Sequence, residues 1–298
     1  MVPRRRGLIR TDSIRAVIVV PIYKETLNAF EEISLKRCLE VFRDREICYV
    51  APWGLRIPAL PTGQNLEVER FDASYFGSQQ DYNRLMVAVD FYRRFENYEF
   101  MLIYQLDAYV FRDELDFWCK RGWDYIGAPW FEGDRMEPMA GNGGFSLRRI
   151  PAFISILGLG HRRLKSFGEV AQENKRISPA SRRAYTVSRN YLSRANRVRA
   201  YLTNPGFNED RFYSYTAPRL DSNFKVADSR TGIPFSFEVR PRDLYAMNDD
   251  SLPFGCHAYE KYDPDFWELH IPGLAILHKQ LSRAAISEDM QFIDKGMT

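Results

Sequence analysis

The sequence is short of several things, and each shortage weighs against a class of protein. Cysteine and histidine occur only four times each in 298 residues. Cys38, Cys48, Cys119 and Cys256 form no CxxC pair, which argues against a zinc knuckle, a thioredoxin-type site or a disulfide framework. No stretch approaches the ~18 apolar residues of a membrane span. The apolar run at residues 16–23 is shorter than most signal-peptide cores and leads into a charged segment. Internal repeats and low-complexity tracts are absent, and the net charge is a modest +3. These shortages lead us to expect a soluble, cytoplasmic protein.

What the chain has is apolar and aromatic residues, 45% and 14% of the total. That is enough to bury a sizeable core in one large α/β domain or two smaller ones. The most informative run is Phe100-Met-Leu-Ile-Tyr104, whose length and β-rich make-up suit a strand buried on both faces. It leads through Gln105 and Leu106 to Asp107. In open α/β sheets, ligands collect beyond the carboxyl ends of strands. Taken alone, the stretch reads equally well as a strand ending in an ordinary turn.

Upstream, residues 16–23 read as a first strand. Helical spacing follows at Phe30, Ile33, Arg37, Cys38, Val41 and Phe42. Strands are expected at residues 47–51 and 66–71, then a helix through Leu85, Met86, Val89 and Tyr92. The order β-α-β-β-α-β predicts a mostly parallel sheet with crossover helices. Downstream, a helix is expected at residues 114–120, a strand at 123–128 and a helix at 150–159. Residues 131–140 look acidic and irregular. Gly141, Gly143 and Gly144 call for close backbone approach or positive φ. A strand is expected at residues 233–239, and a glycine-containing turn at 253–259 carries His257.

Charge is unevenly spread. Residues 161–200 hold eleven lysines and arginines against Glu169 and Glu173, a net +9 in a chain of +3. Ala184, Tyr191, Leu192, Ala195, Val198 and Leu202 share one helical face among these arginines. This is either a solvated helical insertion or an arm facing an anionic surface, such as a membrane leaflet or a lipid-diphosphate acceptor. Nucleic acid is the weaker reading, since no nucleic-acid motif accompanies the charge.

Asp107, Asn142, Glu209, Asp210 and His257 are polar residues at expected strand or loop ends. A strand-tip acid and a distant histidine can share Mn²⁺ or Mg²⁺, which acts as a Lewis acid on a departing diphosphate. Glu209 and Asp210 open a helix, where they are either stabilised by its N-terminus or act as a general base. His257 reads equally as a satisfied core histidine.

Seven short pieces run in order along the chain: residues 17–23, 75–78 with Tyr82-Asn83, 102–108 with Phe111, 124–130, 141–148, 208–210 and 253–257. Together they resemble GT-A-type nucleotide-sugar glycosyltransferases, most closely a little-characterised family of bacterial, viral and fungal domains grouped with those enzymes. The resemblance implies an α/β fold, GT-A (Rossmann-like), with a mixed, mostly parallel central sheet flanked by helices in a single domain. A basic tail at residues 1–15 would precede a nucleotide-binding half at about 16–110 and an acceptor half at about 111–298. A basic helical insertion would lie at about 160–203. Pro21, Ile22 and Tyr23 would line the nucleotide pocket, with Tyr82 and Asn83 near the base or ribose. Gln105, Asp107 and Ala108 would bind the nucleotide sugar, with Asp107 in the place of the acidic metal motif, and Gly143, Gly144 and Phe145 would shape the floor. Asp210, or Glu209, would be the base, and His257 would complete the metal shell.

The chain departs from the family in one respect. The usual metal motif has two acids one residue apart, whereas Ala108 and Tyr109 follow Asp107. A metal-free version would need cations near the leaving group, for which Lys24, Arg84 and Arg148 are candidates. The expected activity is transfer of a hexose or deoxyhexose from a nucleoside diphosphate sugar to a glycan or lipid-linked glycan, metal-assisted and inverting, at an anionic membrane surface. The alternative is a nucleotide- or glycan-binding module, or a membrane-surface adaptor, without turnover.

Overall fold

The computed structural model describes residues 14–58, 66–203 and 208–283. All but the end of the expected basic tail lies outside the described residues. The first half follows the expected order: β1 (Ala16–Pro21), α1 (Ala29–Val41), β2 (Glu46–Pro52), β3 (Glu67–Phe71), α2 (Gln79–Met86), α3 (Val89–Arg93) and β4 (Phe100–Tyr104). Helix α1 starts where a capping box allows it. Asn28 Oδ1 accepts from Glu31 N, and Glu31 Oε2 accepts from Asn28 N, both at 2.9 Å.

Next come β5 (Tyr109–Val110), α4 (Leu115–Cys119), β6 (Tyr125–Ile126), β7 (Pro129–Glu132), β8 (Arg135–Ala140) and β9 (Phe145–Arg149). The main sheet has the order β3-β2-β1-β4-β9-β6. The β3–β2, β2–β1 and β1–β4 pairs are parallel, and β9 runs antiparallel to both β4 and β6. The fold is therefore α/β, with a largely parallel mixed sheet flanked by helices. Period-two alternation inside the apolar runs builds a core on each face. Val17, Val19, Met101 and Ile103 join one buried cluster with Phe91 and Phe153. Ile18, Val20, Leu102 and Tyr104 join the other with Leu35, Leu39 and Phe42.

Two expectations are corrected here. Residues 131–140 are not irregular, because β7 and β8 pair as an antiparallel hairpin. Its two-residue Gly133-Asp134 link, with Gly133 at φ +60°, is the signal to read. The basic stretch is not one helix with a buried apolar face. After α5 (Ile150–Gly158) it folds as α6 (Phe167–Glu173), α7 (Ala180–Leu192) and α8 (Val198–Leu202). Ser193 breaks it by accepting from Ala195 N at 3.1 Å to start a 3₁₀ turn. Along α7 only Val187 is buried, while Ala184 and Leu192 lie in water.

Beyond this arm, α9 (Glu209–Arg211) runs into a π-helical turn at Phe212–Thr216. The strand expected at residues 233–239 shrinks to β10 (Ser236–Phe237), flanked by Pro234 and by Arg240 at φ 58° ahead of Pro241. A small sheet joins β10, β11 (Gly255–Cys256) and β5. All four cysteines are buried and unpaired. Among the described residues no helix is long and apolar enough to cross a membrane.

Candidate functional site

The chain moves outward from β1 to β2 and β3, then returns to place β4 on the other side of β1. This is a topological switch point, where the carboxyl ends of neighbouring strands part to leave a crevice. A cleft of about 800 Å³ opens there, and it takes in Pro21 and Tyr23 after β1 and Gln105 and Asp107 after β4.

The register of the small sheet brings His257 to Asp107. Cys256 pairs with Tyr109 on one side and with Phe237 on the other. The next residue, His257, therefore stands between the residues that border β5 and β10. Its Nδ1 donates to Glu238 Oε1 at 3.1 Å. Its Nε2 lies 3.1 Å from Asp107 Oδ1 and 3.2 Å from Gln105 Oε1. Burial disfavours the imidazolium, but Asp107 and Glu238 outweigh it and hold the His257 pKa up at about 10. Asp107 is likewise pulled below the usual carboxylate range, with burial opposing and His257 prevailing.

The glycines of the 141–144 turn act by close approach, since none of them has positive φ. A Cβ on Gly144 would stand 2.0 Å from His257 Nε2, and one on Gly143 would stand 2.6 Å from Glu209 Oε1. These two positions let the floor of the cleft touch the histidine on one side and the acidic pair on the other.

Glu209 and Asp210 are neighbours in sequence and opposites in environment. Glu209 is buried against Arg148, with Nη2 at 3.0 Å from Oε1. Arg148 is itself wholly buried and donates to Tyr92 Oη (2.9 Å) and Ser146 Oγ (3.1 Å). Its guanidinium lies over the rings of Tyr125, Phe153 and Tyr213 at 5.5, 5.6 and 5.9 Å. The pair is a buried brace whose Glu209 end reaches the cleft wall. Asp210 lines the cleft with no ion-pair partner among the described residues, and burial followed by the charge of Glu209 raises its pKa to about 7.

Tyr82, Asn83, Asn142, Gly143 and Gly144 also line the cleft. Ile22, Ala108 and Phe145 do not, because their side chains are wholly buried in the core beneath it. These three therefore support the pocket from below. The proposed spare cations fail for a different reason. Lys24 pairs with Glu31 at 2.7 Å, Arg84 with Asp81 at 2.6 Å, and Arg148 with Glu209. Among the aromatic residues around the cleft, Tyr213, Tyr259 and Trp267 are core, while Trp130 reaches the lining.

Glu238, Glu260, Lys261 and Tyr262 complete the lining without having been singled out by sequence. Glu238 sits one residue beyond a two-residue strand, and only the β10–β11 pairing reveals its place beside His257. The lining holds six carboxylates (Glu31, Asp107, Glu209, Asp210, Glu238 and Glu260) against Arg211, Lys261 and His257. Arg211 is already engaged by Glu137, its Nη2 2.7 Å from Oε1. So acidic a cleft attracts cations and repels a bare diphosphate.

The donor set fits a shared divalent ion. Asp107 Oδ1 and Gln105 Oε1 stand 3.1 and 3.2 Å from His257 Nε2, so the three would supply oxygen and nitrogen donors to one ion once that nitrogen gives up its proton to the incoming metal. Glu238 on Nδ1 is the carboxylate partner that orients a metal-binding histidine. Among the described residues no three His, Cys, Asp or Glu side chains are grouped to hold a metal by themselves. Gln105 and the ligand would have to complete the shell.

A search among curated proteins finds no match. A family model does match, over residues 65–257, a span that ends on His257 and includes Asp107, Gly143, Gly144, Glu209, Asp210 and Glu238. The chain thus belongs to the family described as Protein of unknown function (DUF5672).

Proposed function

We propose that the protein is a metal-assisted glycosyltransferase. It moves a hexose or deoxyhexose from a nucleoside diphosphate sugar to a hydroxyl of a glycan or lipid-linked glycan. The observation that carries this reading is the pairing of two unlike acids across one glycine floor. Asp107, with His257, faces one side of the cleft, and Asp210, poised near neutral pH, faces the other. The first suits a cation-bound diphosphate and the second suits a hydroxyl that must lose a proton.

Asp210 takes the proton of the acceptor hydroxyl as its oxygen bonds to the anomeric carbon of the donor. The bond from that carbon to the diphosphate oxygen breaks, and the nucleoside diphosphate leaves. Attack from the face opposite the leaving group inverts the anomeric centre. Asp107, His257 and Gln105 would hold Mn²⁺ or Mg²⁺, which when bound neutralises the departing diphosphate. Glu238 keeps the imidazole oriented, and Arg148, through Glu209, keeps the base in place. The acid-rich lining supports metal dependence, because Lys261 and the engaged Arg211 are its only lysine and arginine among the described residues.

Calorimetric titration with UDP, GDP, dTDP and CMP, with and without Mn²⁺, tests the reading. We expect one nucleotide to bind in the micromolar range, and only with the metal. Metal-independent binding would remove the ion from the proposal, and failure of every nucleotide to bind would remove the transferase itself.

A further inference from the structure

The arm at residues 161–202 plays no part in the cleft chemistry, yet it is the most charged part of the molecule. Its two acids are already engaged, Glu173 by Lys165 at 2.6 Å and Glu169 by Arg219. Arg182, Arg183, Arg189, Arg194 and Arg199 are exposed, with no carboxylate in ion-pair range among the described residues. Helix α7 packs on α6 of the same arm, and Val187 is its single buried residue.

The face of α7 opposite Val187 carries Arg182, Tyr185, Arg189 and Leu192, spaced three, four and three apart, so they form one outward ridge. Tyr185 is 68% exposed and Leu192 is 64% exposed. Two large apolar side chains held in water between unpaired arginines make an unfavourable surface for a free protein. They match an interfacial environment, where the apolar groups enter the headgroup layer while the arginines reach phosphates.

We infer that this arm docks on an anionic lipid bilayer, with the outer ridge of α7 as the contact. Charge complementarity selects an anionic surface. Leu192 and Tyr185 favour lipid over nucleic acid, because a phosphate backbone gives Leu192 nothing to bury against. The ridge is also convex and presents no groove to track a strand.

The arm is fastened to the segment that carries Asp210. Arg162 Nη1 donates to Leu220 O at 2.6 Å, Arg219 pairs with Glu169, and the rings of Tyr201 and Phe212 stand 5.9 Å apart. Docking would hold the segment that carries Asp210 close to the bilayer, where lipid-linked hydroxyls are found. That extension rests on the transferase reading, whereas lipid binding does not.

The test is co-sedimentation of the full chain with vesicles of phosphatidylcholine alone and of phosphatidylcholine mixed with phosphatidylglycerol. Binding should require phosphatidylglycerol and weaken with salt. Arg182→Gln with Arg189→Gln should weaken it roughly tenfold or more, and Tyr185→Ser with Leu192→Ser should weaken it as well. Both variants should keep the parent's circular dichroism and melting temperature. Equal affinity for the two vesicle types, or variants that bind like the parent, would overturn the inference. So would a random-sequence duplex DNA probe that binds more tightly than the vesicles and responds only to the arginine changes. Nucleotide binding measured on the same variants separates failure of the arm from failure of the proposed chemistry.

Discussion

The cleft and the basic arm solve opposite problems with charge. In the cleft, carboxylates outnumber cations, and most are tied into pairs: Glu31 with Lys24, Glu209 with Arg148, and Asp107 and Glu238 with His257. In the arm the cations outnumber the acids, and most are exposed with no carboxylate partner among the described residues. The cleft rests on strand ends and on glycines that leave no spare space, so its charges have fixed positions. The arm rests on short helices with few buried residues. The chain's net +3 sets the arm's +9 against −6 for all the rest of the chain, and it describes neither the arm nor the cleft. Fixed charge suits chemistry on one bond, and mobile charge suits attraction to an extended surface.

The largest effect that would sharpen this contrast is at Asp210. Asp210→Asn should lower transfer by about a hundredfold or more while leaving nucleotide affinity unchanged. Sugar transfer and calorimetry on the same preparation check both halves, and unchanged turnover would remove Asp210 as base.

Next is the brace beneath it. Arg148→Met leaves Glu209 buried without a partner, which should cost about 3–5 kcal/mol in urea unfolding. Adding Glu209→Leu removes the stranded charge and should recover part of that loss. If the double variant is no better than the single one, the aromatic packing around Arg148 matters more than its charge.

A smaller effect follows from the raised pKa of Asp210. The folded protein holds this proton up to about pH 7, and the unfolded chain holds it only to about pH 4. Wild-type stability therefore falls as pH rises through that window, and the loss is complete above pH 7. Asp210→Asn has no such proton to lose. It should melt a few degrees higher than the parent near pH 8 and at the same temperature below about pH 4. Parallel thermal melts at the two pH values measure this.

Sequence and structure agree best where one residue type decides the outcome locally. The alternating Val and Ile of residues 17–20 and the run at residues 100–104 could only be strands buried on both faces, and they lie at the centre of the sheet. Asp107 could be located because it ends such a run. The β7–β8 hairpin was missed because its strands, rich in Pro, Met and Glu, lack alternation, and only Gly133-Asp134 marks the turn. The arm's buried face was misjudged because apolar spacing was carried across Ser193, where the chain turns.

By itself the sequence determined the α/β order, the strand whose tip carries Asp107, the glycine-bearing turn and the uneven charge. These depend on neighbours along the chain, through periodicity and backbone freedom. Only the tertiary structure decided which carboxylate meets Arg148 and which does not. Glu209 and Asp210 are adjacent and chemically alike, and what separates them is Arg148, far away in sequence and buried against only one of them. The same holds for Glu238, which the register of two-residue strands brings to His257. Burial and charge pairing are set by residues distant in the chain, so they exist only once the chain is folded.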